Sequence, residues 1–188
     1  LADIEALNRL FSDAFTERYR RDGLSGVRVP FLNPVIWQYA IEDAAEGALV
    51  WRDARDELIA FCMVHRSVSE GWMGPLAVRP DRQGQGLGRE VVRAGVAWLQ
   101  AQGVRTIGLE TMPRTIENIG FYAGLGFLPG HLTITLQRRD PRRRGPLTTR
   151  LGEVEAGRRD SVLAECRALS TQVAAGVDFT REMVLTLE

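Results

Sequence analysis

The first part of the chain has apolar residues at helical spacing. From Leu1 to roughly Tyr19 they fall on one helical face, which predicts a helix there. A second, shorter helix is predicted at about 33–42, because Asn33 is a suitable N-cap and Pro34 fits the first helical turn. Glycines and prolines interrupt residues 20–34, so this segment is predicted to be the loop between the two helices.

Strand-like spacing follows the two helices. Apolar runs at 48–52 and 57–65 are separated by a polar turn, which predicts an antiparallel hairpin. A third apolar run, Trp72–Val78, ends at a turn signal and leads into the glycine-rich segment 82–88. Apolar positions then recur at helical spacing from Arg89 to Gln102. The pattern therefore predicts a strand, a glycine-rich loop and a helix in succession.

Beyond residue 102 the pattern alternates between short strands and helices, with Gly103 and Gly126 as helix stops. In order, the predicted elements are a strand at Arg105–Thr111, a short helix at Asn118–Leu125, a strand beginning at Phe127, a strand at His131–Arg138, a helix at Glu153–Ala174 and a last strand at Met183–Leu187. Residues 138–150 hold six arginines among glycine and proline, which predicts an exposed loop.

A glycine-rich loop between a strand and a helix N-terminus is a physical device for holding phosphate. The first N–H groups of a helix lack partners, the helix dipole adds positive charge there, and glycine allows close approach of the backbone. A nucleoside-triphosphate P-loop is excluded, since no Lys, Ser or Thr follows the glycines. A dinucleotide fingerprint fits poorly, because Arg89 stands in place of its third glycine. A plain turn remains open.

The loop Gln83-Gly84-Gln85-Gly86-Leu87-Gly88 resembles motif A of the GCN5-related N-acetyltransferase (GNAT) superfamily. A second signature of that family, a tyrosine shortly before a Gly-Phe pair, is matched at the expected distance by Tyr122 and Gly126-Phe127. The resemblance implies an α/β (α+β) fold with a mixed, mainly antiparallel sheet flanked by helices and with splayed central strands. The family has a strand before its first helix, so this chain is expected either to be truncated or to lack that strand.

Composition narrows the function classes. At 188 residues, 45% hydrophobic and 26% charged, the chain is expected to form one globular domain. Its zero net charge gives no general attraction to nucleic acid or to an anionic membrane. All 24 basic residues are arginine, which excludes a lysine nucleophile. Cys62 and Cys166 show no metal-ligand spacing, and without a signal or membrane-spanning pattern a cytoplasmic location is expected.

The resemblance implies acetyl-CoA as co-substrate and no metal. In the family, the strand before the loop pairs its backbone with the pantetheine arm, and the loop binds the pyrophosphate. Carried over to this sequence, the cofactor-binding residues are Leu76, Ala77, Val78, Arg82, Gln83, Gly84, Gln85, Gly86, Leu87, Gly88, Arg89, Asn118 and Tyr122. Arg82 and Arg89 are included as charge partners for the pyrophosphate. The arginines of 138–150 are expected to be solvated, with a contact to the CoA 3′-phosphate or to an acidic acceptor as the alternative.

Two residues are expected to carry the proton transfers. Tyr122 is expected to protonate the departing thiolate, because a phenol is a competent donor, with a packing role as the alternative. Glu110 matches the glutamate that acts as base in the family's ribosomal-protein N-terminal acetyltransferases. Burial among apolar neighbours would strengthen a carboxylate base. Glu70 and a water relay are the reserve candidates.

One position departs from those transferases. They carry a CoA-contacting asparagine seven residues before the tyrosine, where this chain has Thr115. Asn118, one helical turn nearer to the tyrosine, is expected to take its place. His65 and His131 lie in strand-like runs and are expected to be structural.

The sequence thus predicts an acetyl-CoA-dependent N-acetyltransferase (EC 2.3.1 type) acting by direct transfer on a primary amine. The acceptor is a small molecule or a protein N-terminus, with no nucleic-acid or membrane partner and with a homodimer left open. The alternatives are a non-catalytic acyl-CoA-binding regulatory or scaffold domain and one half of a tandem protein of this family. The expected organisation is a core at 1–138, an arginine-rich loop at 139–150, and a helix and strand at 151–188 that complete the sheet or open a second repeat.

Overall fold

Two helices open the part of the chain described by this computed structural model, which covers residues 3–112, 114–130 and 149–185. Helix α1 spans Ile4–Arg21 and helix α2 spans Pro34–Ala44, close to the predicted bounds. The side chain of Asn33 accepts a hydrogen bond from the Val35 N–H, and Pro34 begins the first turn of α2. The predicted N-cap is therefore confirmed.

The loop between α1 and α2 is held by a single buried asparagine. The amide nitrogen of Asn8 donates to the Leu32 carbonyl at 2.8 Å, and its oxygen accepts from the Leu32 N–H at 2.8 Å and from the Trp37 indole N–H at 2.7 Å. Asn8 thus joins α1, the loop and α2 through three hydrogen bonds. Since Trp37 is fully buried, these bonds lie in the core.

Four strands form one mixed sheet in the order β1-β2-β3-β4. Their bounds are Ala48–Arg52 for β1, Leu58–Ser67 for β2, Glu70–Val78 for β3 and Thr106–Leu109 for β4. The pairs β1–β2 and β2–β3 are antiparallel, whereas β3 and β4 are parallel and are connected through helix α3, Leu87–Ala101. The predicted hairpin and the mixed, mainly antiparallel sheet are confirmed.

The central strands separate part of the way along β3. The β3–β4 ladder runs only from the Glu70–Thr106 pair to the Met73–Leu109 pair, although β3 continues to Val78. The β2–β3 register also shifts at this level, because two steps along β2 stand opposite the three steps from Met73 to Leu76. The extra residues form a bulge at Gly74–Pro75, and bulges bend the strand that contains them. The predicted splay is therefore confirmed.

The core lies in two layers, one on each face of the sheet. On the first face, α1 and α2 pack against alternate residues of β2, such as Phe61 and Met63. On the second face, α3 packs against the intervening residues, such as Cys62 and Val64. This strict alternation follows from the two-residue period of a strand buried on both faces.

Three helices complete the described chain. They are α4, Ile116–Ala123, α5, Ala156–Val173, and α6, Thr180–Leu185. The strand predicted at Met183–Leu187 is wrong, because residues 183–185 belong to α6, which contacts α2. Residues 127–130 are not in a strand, and the strand predicted at 131–138 and the arginine-rich loop up to residue 148 lie outside the described residues. Over the ranges given above, none of the helices is both long and apolar enough to cross a membrane.

We expect Asn8→Ala to lower the free energy of unfolding by about 2–3 kcal/mol, because it leaves buried N–H and C=O groups without partners. Thermal and urea unfolding would measure this loss. The matched control is Gln38→Ala, which removes only an exposed contact to Glu42 and should cost less than about 0.5 kcal/mol. Equal stability of the Asn8 variant and the native chain would contradict this role.

Candidate active site

The edge of β3 beyond Met73 is the first component of the site. The Arg79 N–H donates to the Ile59 carbonyl at 2.8 Å, which sets the phase of the antiparallel ladder. The N–H and C=O groups of Ala77 therefore point toward β2. Those of Leu76 and Val78 point to the opposite edge, where β4 has moved away. Among the three predicted backbone contacts, Leu76 and Val78 have the orientation that an extended ligand needs.

The glycine-rich loop forms the second component, directly after β3. Gly84 and Gly86 have φ values of 75° and 90°, in the left-handed region that favours glycine. Gly86 is the N-cap of α3, and its carbonyl accepts from the N–H groups of Arg89 and Glu90. The first N–H groups of α3, at Leu87 and Gly88, precede that bonding pattern. The predicted succession of strand, glycine loop and helix N-terminus is therefore confirmed.

The two glutamines of the loop shape it through their side chains. The amide nitrogen of Gln83 donates to the Val78 carbonyl at 2.9 Å, and that of Gln85 donates to the Asp81 carbonyl at 3.0 Å. Both side chains thus bind backbone within the strand–loop segment. The backbone N–H of Gln83 also donates to the Pro80 carbonyl, at 3.3 Å, so Gln83 is bonded within this segment through its backbone as well as its side chain.

The two predicted charge partners differ in their surroundings. Arg82 lies 3.4 Å from the Asp53 carboxylate in the β1–β2 turn and is partly buried. Arg89 is exposed on the first turn of α3, with its guanidinium carbon 6.0 Å from the centre of the Phe121 ring. Arg89 is therefore the more accessible of the two to a bound anion.

Tyr122 of α4 packs beside the open edge of β3. It belongs to the same apolar cluster as Cys62 and Leu76. The centre of its ring lies 5.0 Å from that of Phe121 and 6.1 Å from that of Phe127. Burial, with a smaller contribution from Cys62, raises the pKa of Tyr122 to about 12. The phenol is therefore protonated at neutral pH.

The N-terminus of α4 is tied to α1 across the splay. Thr115, 1% exposed, donates its hydroxyl to Asp22 at 2.7 Å, and Arg18 bridges Asp22 and Glu117. The Thr115 hydroxyl, followed by Arg18, lowers the pKa of Asp22. Asn118 donates to the Thr111 hydroxyl at 3.2 Å. Thr115, the N-cap of α4, and Asn118 within α4 are therefore both hydrogen-bonded inside the protein.

The two candidate bases lie at different places. Glu110 directly follows the last residue of β4, at the point where β3 and β4 separate, and its side chain is exposed. The expected burial among apolar neighbours is therefore absent. Glu70 begins β3 and pairs with Thr106, at the end of the strand away from the glycine loop. Position favours Glu110 over Glu70.

His65 has the structural contacts expected of it, but the sequence did not show its partners at the splay. Its Nε2 lies 3.2 Å from the carbonyl oxygen of Gly74 in the bulge. Its Nδ1 lies 2.5 Å from Asp43 of α2, whose other oxygen is 3.4 Å from Arg181 of α6. These residues come together only in the fold, so no local pattern could have shown them.

The part of the chain that the structure covers contains no group of three or more His, Cys, Asp or Glu side chains that could hold a metal ion. The second predicted structural histidine, His131, lies outside that part.

Comparison with known families agrees with this geometry. The model of the acetyltransferase (GNAT) family matches residues 4–127, from α1 to the residue that follows Gly126. This span contains the sheet, the glycine loop and Tyr122, and it is more than half of the chain. The chain therefore belongs to the GNAT acetyltransferase family.

Curated relatives match a shorter segment. The ribosomal protein bS18-alanine N-acetyltransferase of Escherichia coli strain K12 is 34% identical over 71 residues, which is 38% of this chain and 48% of the relative. The protein of the same name from Salmonella typhimurium is 34% identical over 74 residues, 39% of this chain and 50% of that one. The chain thus spans about half the length of the curated relatives it matches.

Solved structures share the fold. A mutant of the BH1408 protein from Bacillus halodurans superposes with a TM-score of 0.60 at 24% identity, covering 73% of this chain and 94% of that one. The ribosomal-protein-S18-alanine N-acetyltransferase of Escherichia coli superposes with a TM-score of 0.53 at 22% identity, covering 69% and 74%. At these identities the likeness concerns the fold alone.

We expect the phenol of Tyr122 to stay protonated below about pH 11, because burial opposes formation of phenolate. A spectrophotometric titration of phenolate absorbance in the native chain and in Tyr122→Phe would measure this. The difference between the two curves should appear only at the alkaline end. A difference that appears near the pKa of a free phenol would contradict the burial.

Proposed function

We propose that this chain is an acetyl-CoA-dependent N-acetyltransferase that moves an acetyl group directly to a primary amine. The observation that carries the proposal is the unpaired edge of β3, toward which the backbone groups of Leu76 and Val78 point. This strand leads directly into Gly84 and Gly86, which have left-handed backbone conformations at the start of α3. A ligand that has an extended arm joined to a diphosphate can bind its arm along such a strand edge and its diphosphate at the helix N-terminus that follows.

The pantetheine arm of acetyl-CoA would lie along the edge of β3 as an additional strand. The pyrophosphate would bind the N–H groups of the loop and of the first turn of α3, with Arg89 as charge partner. In this arrangement the thioester comes to the splay, between Tyr122 on one side and Glu110 at the end of β4.

The reaction needs two proton transfers. The amine nitrogen attacks the thioester carbonyl carbon, a C–N bond forms and the C–S bond breaks. Glu110, directly or through water, takes the proton that the amine loses. The departing thiolate gains a proton from Tyr122, and the phenol regains one from solvent. A phenol whose pKa is about 12 is always protonated at neutral pH but is a weak acid, so its main contribution is a hydrogen bond to the developing thiolate.

The acceptor is a small amine or a protein N-terminus. The names of the curated relatives state an alanine of ribosomal protein bS18 as the acceptor of those proteins. A peptide that begins with alanine is therefore the first acceptor to test, beside a panel of small amines. Release of free thiol on mixing with acetyl-CoA, and a gain of one acetyl group on the acceptor, would support the proposal. Binding of CoA without turnover on any amine would indicate the non-catalytic alternative.

We expect Gly86→Glu to abolish detectable binding of CoA. The substitution adds a side chain at φ 90° and puts a negative charge at the pyrophosphate position, where the repulsion should weaken binding at least about 100-fold. Calorimetric titration with CoA would measure this. Gly103→Glu is the matched control, because Gly103 has φ 73° and open space around it but lies beyond the other end of α3. Unchanged affinity in the Gly86 variant would count against the site.

We expect Tyr122→Phe to lower kcat by about 10²-fold, at the lower end of what a positioned proton donor contributes, while leaving CoA affinity within about twofold. Steady-state thiol release would measure kcat, with Tyr19→Phe on α1 as the control. Full activity in the Tyr122 variant would remove the phenol from the mechanism.

We expect Glu110→Gln to lower kcat at neutral pH. Part of this loss of kcat should be recovered as the pH rises, because an amine that is already deprotonated needs no base before it attacks.

A further inference from the structure

A series of polar contacts connects the C-terminal helix α6 to the bulge of β3. Arg181 of α6 has its Nε 3.4 Å from Oδ1 of Asp43, and Oδ2 of Asp43 is 2.5 Å from Nδ1 of His65. The other ring nitrogen of His65, Nε2, is 3.2 Å from the carbonyl oxygen of Gly74. Four elements therefore meet here, namely α6, α2, β2 and β3.

Asp43 and His65 are largely removed from water, with side chains 7% and 20% exposed, whereas the Arg181 side chain is 54% exposed. Both ring nitrogens of His65 lie within hydrogen-bond distance of an oxygen, one on Asp43 and one on Gly74. The Asp43 carboxylate lies between the His65 ring and the Arg181 guanidinium, so it connects the two.

The segment that supplies Arg181 is firmly docked. Ser67 of β2 donates its hydroxyl to the Asp178 carbonyl at 2.8 Å and accepts from the Asp178 N–H at 2.7 Å. Val177 and Thr180 are buried, and Arg181 also donates to the Glu42 carbonyl at 2.7 Å. This segment follows the residues that the family model matches, which end at 127. The contact of Arg181 with Asp43 therefore joins a segment outside the matched span to α2 inside it.

The bulge occupies the point at which the sheet opens. Gly74 is the first β3 residue beyond the last β3–β4 pair, Met73–Leu109. A bulge interrupts the ladder, so its carbonyl needs a partner other than the neighbouring strand, and His65 is that partner. The direction in which β3 leaves β4 is thus fixed at Gly74 by a side chain from β2.

We propose that His65, held by Asp43 and by Arg181 of α6, is a positioning residue that fixes the bulge at Gly74 and with it the width of the gap for the pantetheine arm. This inference rests on the proposed function, because the gap matters for binding only if pantetheine occupies it. His65 acts through the backbone of Gly74 and does not itself transfer a proton in the reaction.

Two ligands separate a positioning role from a general structural one. CoA contains the pantetheine arm, whereas adenosine 3′,5′-bisphosphate contains only the adenosine, the 3′-phosphate and the first 5′-phosphate. We expect His65→Leu to weaken CoA binding by about tenfold, the effect of losing a hydrogen bond to a buried carbonyl, and to leave bisphosphate binding within about twofold. Calorimetric titration of each variant with each ligand would give these ratios.

Further variants cover the case in which His65→Leu fails to fold. Asp43→Asn keeps the shape of the group and should weaken CoA binding less than His65→Leu does, and Arg181→Met should act in the same direction. The control is Arg9→Met, which removes an exposed ion pair with Glu5 on α1 and should change neither affinity. Equal weakening of both ligands, or no change in CoA binding for all three variants, would overturn the inference. If the native chain bound neither ligand, the proposed function itself would be overturned, and this inference with it.

Discussion

The separation of β3 from β4 beyond Met73 and Leu109 is the constraint from which the candidate site follows. A strand edge inside a fold presents backbone N–H and C=O groups that must find partners. Here the ladder ends while β3 continues for five residues. The backbone groups of Leu76 and Val78 are turned toward the opening, and of these the Val78 carbonyl is bonded to the Gln83 side chain. A ligand with an extended amide-containing arm would satisfy such an edge, so the opening and the proposed binding of acetyl-CoA have one explanation.

The groups around the opening differ between the two faces of the sheet. The second face of the sheet, with α3 and α4, carries the glycine loop and the buried, protonated phenol of Tyr122. The first face, with α1 and α2, carries the hydrogen bonds from Thr115 to Asp22 and from His65 to the bulge. The second face thus carries the groups proposed to contact the thioester and its leaving thiolate, and the first face carries the bonds that fix the width of the gap between β3 and β4.

The C-terminal segment adds contacts from outside the span that the family model matches. Most of α5 is exposed, whereas the residues between α5 and α6 bind the end of the β2–β3 hairpin and bring Arg181 to Asp43. Because a network of charged groups in a partly buried site is stronger than the same contacts in water, a residue on α6 can influence a strand that it does not touch. The acetyl-transfer core and the segment outside it are therefore physically coupled.

Local spacing in the sequence determined the helices α1 to α3, the hairpin and the glycine-rich loop, because periodicity, caps and glycines encode these elements within a few residues. The tertiary structure alone decided that Ala77 faces β2, that Thr115 bonds Asp22 across 93 residues, and that His65 holds Gly74. It also decided that the short apolar run from Met183 begins in a helix and not in a strand, since runs of that length fit either and packing against α2 selects one. Contacts between residues distant in sequence leave no periodic signal, so only the folded chain shows them.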